Sequence, residues 1–318
     1  MINFTIITNQ IIVLALLAIV GVIATKLKVI TEEVKNSIAT IVFNITLPAL
    51  ILTSVSNVEL NREILHNSLL VFIFSHIGIL LLFFSGKISR SILKIKDKKR
   101  NIHLIHTMLG NVAFLGYPLF SALFPGGEGL LYAVIFHLTQ DIYIWTVGVF
   151  EFNNSKSITF KESLKHLINP NTVAFAVGIV MLIIGFKLPE FINTPVAGLG
   201  KTTIYLAMLY IGAVLAQNTI ITAFKKREIY ALIFNKMLFV PFILLLIINF
   251  ASYAFGIQIG NVAKTVVVMQ TAMPCMAMVV VLAKKFGSDD IHATENLFLS
   301  TIFSLATLPL IYLIIQIL

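Results

Sequence analysis

The sequence contains few charged residues and very few acidic ones. Only 12% of its 318 residues are charged, and 23 Lys and Arg outnumber 14 Asp and Glu. With 58% hydrophobic residues and a mean hydropathy of +0.97, the chain has more apolar surface than a soluble globule, in which about half of the residues are apolar. Most of the chain must therefore lie in lipid, and its basic residues suit loops beside anionic lipid.

Cysteine is almost absent, and so are the motifs of common enzymes. The single Cys275 excludes an internal disulfide and a cysteine-based metal cluster. The sequence contains no His-Glu-x-x-His, no Gly-x-Ser-x-Gly and no Cys and His at metal-site spacing, which argues against an intramembrane enzyme. We expect no enzymatic activity and no resident metal or cofactor, and product formation by the purified protein would contradict this.

The N-terminal region lacks the features of a cleavable signal peptide. No basic region precedes the apolar stretch 11–24, which is followed by Lys26 and Lys28 without a convincing small-residue cleavage site. We expect this stretch to stay in the membrane as an anchor.

Apolar stretches long enough to cross a bilayer recur along the whole chain. A crossing needs about 20 residues as a helix, and this predicts an all-α membrane protein with about ten transmembrane helices. The predicted spans are residues 7–25, 36–55, 66–86, 103–124, 128–150, 171–188, 194–217, 229–251, 262–283 and 294–317.

The basic residues cluster in alternate loops, as the positive-inside rule requires of a membrane protein. One side of the membrane would carry Lys26, Lys28, Lys35, Lys87, Arg90, Lys94, Lys96, Lys98, Lys99, Arg100, Lys156, Lys161, Lys165, Lys225, Lys226, Arg227, Lys284 and Lys285, and the other only Arg62 and Lys187. This pattern predicts a multi-pass protein of the cell inner membrane with both termini outside the cytoplasm.

The longest loop, residues 151–170, divides the predicted spans into two sets of five. It ends in Asn169-Pro170, which is a turn signal. Because five is odd, the second set would enter the membrane in the opposite orientation, as in the inverted repeats of many secondary transporters. We predict a first five-helix repeat at residues 1–155 and a second, inverted one at 156–318.

Two prolines occupy matching positions in the fourth span of each half. Pro118 and Pro274 should break or kink their helices, because proline removes a backbone donor and clashes with the preceding turn. Free backbone groups at membrane depth require protein or a water-filled cavity, and the N-termini of half-helices suit a carboxylate. Asn111 would add a neutral donor. Ordinary proline kinks are the alternative.

The same segments resemble those of a known family. They are residues 44–51 (NITLPALI), 110–119 (GNVAFLGYPL), Asn169-Pro170, 272–274 (AMP) and 281–284 (VLAK). By these segments the chain resembles bacterial permeases of the auxin efflux carrier family, which includes the plant PIN-type exporters, and the similarity covers nearly the whole chain. The long central cytosolic region of the plant members is missing here.

The resemblance implies a fold and a binding site. The fold would have ten helices, with a scaffold domain and a transport domain to which each repeat contributes, crossed broken helices four and nine, and elevator-type alternating access. The resemblance implies that Asn111 holds the carboxylate of the substrate. The expected substrate-binding residues are Asn111, Gly116, Pro118, Pro274 and Cys275.

Charged and polar residues inside the predicted spans are candidates for a coupling site, because such residues are costly in lipid. Asp141, with Gln140 and Gln270, is the candidate for a proton or Na⁺ site. The alternative is that Asp141 pairs with a lysine, namely Lys201, Lys236 or Lys264. We expect Lys236 and Lys264 to snorkel to an interface; the alternative is that they attract an anion. His106 and His137 could transfer protons, or could be hydrogen-bonded packing residues.

These observations favour a secondary carrier of small organic anions such as mono- or dicarboxylates. A channel for small anions or solutes is the first alternative, and it would have a continuous pore instead of a site at the membrane midplane. The expected partners are the organic anion and the lipid bilayer, with no nucleic acid, and a homodimer is left open.

Overall fold

The computed structural model describes residues 4–152, 168–216 and 221–318, and within these ranges every regular element is helical. We number the α-helices α1 Phe4–Lys26, α2 Glu32–Ile41, α3 Leu47–Ser56, α4 Arg62–Ile92, α5 Asp97–Met108, α6 Tyr117–Leu123, α7 Glu128–Tyr143, α8 Val149–Phe152, α9 Pro170–Ile184, α10 Glu190–Ala216, α11 Arg227–Phe234, α12 Val240–Phe255, α13 Asn261–Thr271, α14 Ala277–Lys285 and α15 Asp290–Ile317.

Seven continuous helical stretches of the described residues are long and apolar enough to cross a membrane, so the chain is a multi-pass all-α membrane protein. They are Thr8–Lys26, Glu32–Ser56, Arg62–Ile92, Glu128–Phe152, Glu190–Ala216, Arg227–Phe255 and Asp290–Ile317. Two shorter apolar stretches are Val112–Leu123 and Pro170–Ile184. The predicted fourth and ninth spans are not continuous helices, because each is interrupted near its middle. The count of ten spans stays a prediction.

Three prolines follow directly on a five-residue π-helical turn. The turns are Val42–Thr46, Val112–Gly116 and Asn235–Phe239, and they precede Pro48, Pro118 and Pro241 by two residues. Proline cannot donate a hydrogen bond, and its ring clashes with the carbonyl four residues earlier. A wider π turn makes room for the ring, so the helix continues through it. Of the predicted break or kink at Pro118, the break is wrong, since α6 runs across this residue.

The start of α9 is determined locally by Asn169 and Pro170. The Asn169 side chain accepts hydrogen bonds from the backbone N–H groups of Asn171 and Thr172, and the Thr172 hydroxyl accepts one from the Asn169 N–H. This is a capping box with proline in the first turn, where a missing N–H costs nothing. The predicted turn signal thus marks a helix N-terminus.

The described chain divides into two compact units that do not coincide with the two sequence halves. Of the described residues, unit 1 contains 4–69, 113–135 and 168–216, and unit 2 contains 70–112, 136–152 and 221–318. Each unit draws segments from both halves. The repeats at 1–155 and 156–318 stay a prediction.

Unit 1 is held together by close helix contacts at small residues. Helix α1 packs along α10, and Gly21 lies against Gly212 so closely that a Cβ on Gly212 would come within 2.0 Å of the Ala18 carbonyl oxygen. Apolar side chains gain little free energy by leaving lipid, so membrane helices associate mainly through close packing. Small residues allow this close packing.

We expect Gly212→Ala to destabilise unit 1 by about 1–3 kcal/mol, because the new methyl group must push two backbones apart. The control is Gly198→Ala in the same helix, since a Cβ at Gly198 would meet nothing within 4 Å. Thermal unfolding in detergent measures both variants. Equal melting temperatures for the two would contradict the close contact of α1 with α10.

Unit 2 combines an apolar cluster with many buried polar side chains. The apolar cluster, which we call the Met237 cluster, consists of Ala223, Ile229, Ile233, Met237 and Leu299. Helix α15 also packs against α5, α13 and α14. The starts of α5 and α15 lie at one basic end of unit 2, where Lys98 Nζ donates to the Gly287 carbonyl at 2.5 Å.

Candidate functional site

The first helix interruption lies at residues 109–111, between α5 and the π turn Val112–Gly116. Leu109 has extended backbone angles (φ −104°, ψ 125°), and its N–H bonds to the Ile105 carbonyl as the last turn of α5 ends. Leu109, Gly110 and Asn111 are all buried. The interruption therefore precedes Pro118 by about two turns.

The second interruption lies at residues 272–276, between α13 and α14, and contains Pro274. Met276 has extended backbone angles (φ −73°, ψ 125°) immediately before α14 begins at Ala277. Met273 and Cys275 are fully buried. The predicted break at Pro274 is thus present, and it leaves two short helices in place of one spanning helix.

The two interruptions pair with each other as a minimal antiparallel bridge within unit 2. Gly110 lies opposite Cys275. The Asn111 N–H donates to the Pro274 carbonyl at 2.8 Å, and the Met276 N–H donates to the Leu109 carbonyl at 3.3 Å. Backbone groups released by the broken helices are thereby satisfied inside the protein, as burial requires.

Gln140 of α7 completes the hydrogen bonding of the first interruption. Its Oε1 accepts from the Gly110 N–H at 2.7 Å, and its Nε2 donates to the Gly110 carbonyl at 3.0 Å. In this antiparallel pair both Gly110 groups point away from Cys275, so the Gln140 amide takes the place of a neighbouring strand. Sequence reasoning placed Gln140 at a coupling site and did not anticipate this bidentate contact.

The second interruption leaves little room for a side chain at position 110. A Cβ at this position would lie 3.1 Å from the Met273 Cβ and 3.5 Å from the carbonyl oxygen of Gln270. Gln270 is buried in the last turn of α13, and its carbonyl accepts from the Met273 N–H at 3.3 Å. Gln270 thus lies at the paired interruptions, as a backbone neighbour of Gly110.

Asn111 is the side chain at this pair with an uncommitted amide. The residue is buried, with 4% of its surface exposed. Its backbone N–H is used by Pro274, whereas its side-chain amide makes no hydrogen bond to any residue in the described ranges. A buried amide without a protein partner is a suitable donor for a ligand.

Cys275 joins the paired interruptions to α15. Its backbone N–H donates to the Ser300 hydroxyl at 3.0 Å, and its Sγ lies 3.9 Å from the carbonyl oxygen of His106. The fully buried thiol packs among helices of unit 2. Cys275 is therefore held at the paired interruptions mainly by its backbone N–H, and less by its sulfur.

Two of the predicted binding residues belong to unit 1. Gly116 ends the π turn Val112–Gly116, and Pro118 is buried in the first turn of α6. The structure gathers Asn111, Pro274 and Cys275 in unit 2 and assigns Gly116 and Pro118 to the other unit.

Asp141 is placed next to a histidine of its own helix. Its Oδ1 lies 3.5 Å from His137 Nε2, one turn earlier in α7, and the residue is 8% exposed. The ion pairs of the described residues do not include one between Asp141 and a lysine, which was the alternative left by the sequence. His137 was not predicted from the sequence as a partner.

Lys236 is the residue that sequence reasoning misplaced. It is completely buried in the π turn Asn235–Phe239, and its Nζ donates to the Thr107 carbonyl at 3.1 Å. The prediction that it snorkels to an interface is wrong, because the last-turn carbonyl of interrupted helix α5 holds the amine inside unit 2. The sequence feature that could have indicated this burial was the position of Lys236 in the middle of an apolar stretch.

Comparison with known proteins agrees with this membrane architecture. A model of the membrane transport protein family matches residues 6–159 and 154–312, which together span nearly the whole chain. An uncharacterized transporter of Methanocaldococcus jannaschii is 26% identical over 317 residues, covering 95% of this chain and 96% of the relative. One of Methanothermobacter thermautotrophicus is 23% identical over 311 residues, with 95% and 96% coverage. The names of the family and of these relatives indicate a transporter rather than an enzyme. The chain therefore belongs to the membrane transport protein family, the group of the auxin efflux carriers that its motifs resemble.

Proposed function

We propose that the protein is a secondary carrier of small organic anions and that the paired helix interruptions of unit 2 bind the carboxylate. The observation that carries this proposal is the Asn111 side-chain amide, which is buried at the pair and has no protein partner in the described ranges. A carboxylate is a pure acceptor, so a neutral amide donor recognises it without placing a fixed charge in the membrane.

The backbone around Asn111 supports an anion as ligand. Helical segments begin at Val112 and at Ala277, directly after the two interruptions. The first N–H groups of a helix have no partner within it, and the helix dipole adds partial positive charge there. The buried Lys236 amine, bonded to the Thr107 carbonyl, contributes positive charge in the same unit. Together these groups favour an anion over a cation.

The transport mechanism is proposed from the fold and the family. We assign ten transmembrane helices in two inverted repeats. The protein would lie in the cell inner membrane, with both termini outside the cytoplasm. In an elevator-type carrier, one body holds the binding site and moves against a scaffold. We assign the moving part to unit 2, since it contains both interruptions, and the scaffold to unit 1.

The coupling ion would be a proton or Na⁺. Asp141 with its neighbour His137 supports a proton site on α7, because a carboxylate beside an imidazole can share a proton. Neither Gln140 nor Gln270 is needed for such a site, as Gln140 is engaged by Gly110.

Transport in proteoliposomes tests the carrier against the channel. Purified protein would be reconstituted and supplied with radiolabelled acetate, pyruvate, malonate or succinate. A carrier is expected to show saturable uptake of at least one of them, and counterflow, in which unlabelled internal anion accelerates entry of label. Flux that rises linearly with concentration and shows no counterflow would favour the channel. A lack of flux of all four anions would contradict the proposed substrate class.

A further inference from the structure

A row of buried polar side chains lies between helices α5 and α15 of unit 2, and the paired interruptions do not account for it. His103 and His106 are one turn apart on α5, while His292, Asn296 and Ser300 recur every four residues on one face of α15. All five are at most 1% exposed. We call these five residues the histidine seam.

The two rows of the histidine seam face each other. Helices α5 and α15 pack together, and Cys275 contacts both, through Ser300 Oγ and the His106 carbonyl. His292 is also close enough to His103 and His106 to interact with them electrostatically. The seam is therefore one continuous polar region rather than two unrelated faces.

Each histidine of the seam has one nitrogen in a hydrogen bond and the other without a partner. His103 Nε2 bonds to Ser89 Oγ at 2.7 Å, His106 Nε2 to the Met276 carbonyl at 3.3 Å, and His292 Nδ1 to Glu295 Oε2 at 3.4 Å. Within the described ranges, the opposite ring nitrogens and both amide atoms of Asn296 have no partner. Buried polar atoms are rarely left unsatisfied, and bound water is their usual partner in such places.

The outer end of the seam reaches the basic end of unit 2. Glu295 bonds to both His292 and Lys226, and the Lys226 side chain is 26% exposed. The Asp289 carboxylate accepts from the His292 N–H at 2.8 Å. The partly exposed Lys226 side chain therefore links the protein surface to buried Glu295 and, through it, to His292.

The inner end of the seam reaches the paired interruptions. Because a carbonyl oxygen only accepts, the bond between His106 and the Met276 carbonyl requires a hydrogen on Nε2. In a neutral ring, Nδ1 is then a lone-pair acceptor, so it can take a proton from seam water. The Met276 backbone in turn bonds to Leu109, two residues before Asn111.

We propose that the histidine seam and water bound within it form a proton pathway from the basic end of unit 2 to the paired interruptions, which makes the proton the coupling ion. This rests on the proposed carrier function. His292 accepts a proton from Glu295 on Nδ1 and releases one from its unpartnered Nε2 to seam water. His103 and His106 accept a proton on Nδ1 and return it from the same atom to the next water, so no other reactant is required. The path runs from Glu295 through His292 and His103 to His106.

Charged groups around the seam suit transient rather than lasting occupation by a proton. Arg90 interacts electrostatically with His103 and Lys236 with His106, whereas Lys99, Glu228, Asp289 and Glu295 interact with His292. A proton at His292 is balanced by carboxylates. A proton on His103 or His106 meets a cation, so it is expected to pass on.

Gradient-driven transport tests the pathway. Using malonate, or whichever of the four anions shows counterflow, we expect an inward-directed proton gradient to raise accumulation by wild type several-fold. Asn296→Leu and His103→Phe should lose this increase and keep counterflow at equal pH, because neither side chain is hydrogen-bonded to the paired interruptions within the described ranges. Asn249→Leu, a matched amide loss in α12, should behave as wild type. Full gradient dependence in both seam variants, or its loss only in Asp141→Asn, would overturn the proposal.

Radiolytic hydroxyl labelling tests the water without any substrate. Hydroxyl radicals form where water is bound, so we expect His103 and His106 to be oxidised despite burial. Met237, a more reactive side chain in the apolar Met237 cluster, should stay unmodified. Asn296→Leu should lower labelling of the histidines severalfold. Histidines as unreactive as Met237 would overturn the pathway even if anion transport is found, whereas a labelled seam without flux of any anion would refute the carrier assignment and with it the coupling.

Discussion

Replacing Asn111 with leucine is expected to weaken carboxylate binding by about 10- to 100-fold, the usual effect of losing a hydrogen bond to a charged group. Leucine has the same number and branching of side-chain heavy atoms as asparagine, and the side-chain amide has no protein partner in the described ranges. The loss should therefore fall on the ligand and spare the fold. Initial rates of uptake as a function of anion concentration, with thermal unfolding as a check of folding, measure the two effects separately.

Two further variants sharpen this result. Asn111→Asp keeps the size and places a negative charge where the carboxylate would bind, so uptake should fall below that of Asn111→Leu. Asn249→Leu removes an amide that donates to the Leu318 carbonyl at 3.2 Å, away from the interruptions, and should leave the apparent affinity unchanged. If Asn111→Leu and Asn249→Leu transported the anion equally well, Asn111 would not be the carboxylate ligand.

The second large effect is expected from Gln140→Leu, which should destabilise unit 2 by about 2–6 kcal/mol. The Gln140 side chain is the partner of both the N–H and the carbonyl of Gly110. Its loss would leave two buried backbone groups unsatisfied, each costing about 1–3 kcal/mol. Because these groups hold the first interruption in place, uptake should fall as well. Unfolding in increasing concentrations of sodium dodecyl sulfate measures the stability.

Gln140→Glu is the matched control for the two hydrogen bonds between Gln140 and Gly110. A glutamate can still accept from the Gly110 N–H but, when ionised, cannot donate to the Gly110 carbonyl. Its stability should therefore lie between those of wild type and Gln140→Leu. A Gln140→Leu protein as stable as wild type would show that the paired interruptions hold without this side chain.

The sequence predicted which segments are interrupted better than how the interruptions are built. Asn111 and Pro274 were identified from unusual polar and proline residues in apolar stretches, and the structure brings their backbones together. The break in helix four was assigned to Pro118, but it lies at residues 109–111, because a π turn absorbs the proline. The hydrogen bonds between Gln140 and Gly110 could not be predicted, since these residues are 30 positions apart.

Burial of charged side chains was also beyond the sequence. Lys236 lies in an apolar stretch of sequence. This stretch is the same whether the side chain reaches an interface or is buried, so the sequence does not distinguish the two. Its burial depends on the Thr107 carbonyl, which lies 129 positions away. The seam histidines likewise come from separate helices, so only packing shows that they face each other.

Hydropathy and charge by themselves determined that this chain is an all-helical, multi-pass membrane protein, because lipid requires apolar helices and loops carry the cations. These are properties of consecutive residues. Tertiary structure decided where the helices are interrupted, which backbone groups pair across the interruptions, and which polar side chains become buried together. Those outcomes depend on hydrogen bonds between residues far apart in the chain, and each interrupted helix needs the other to satisfy its backbone.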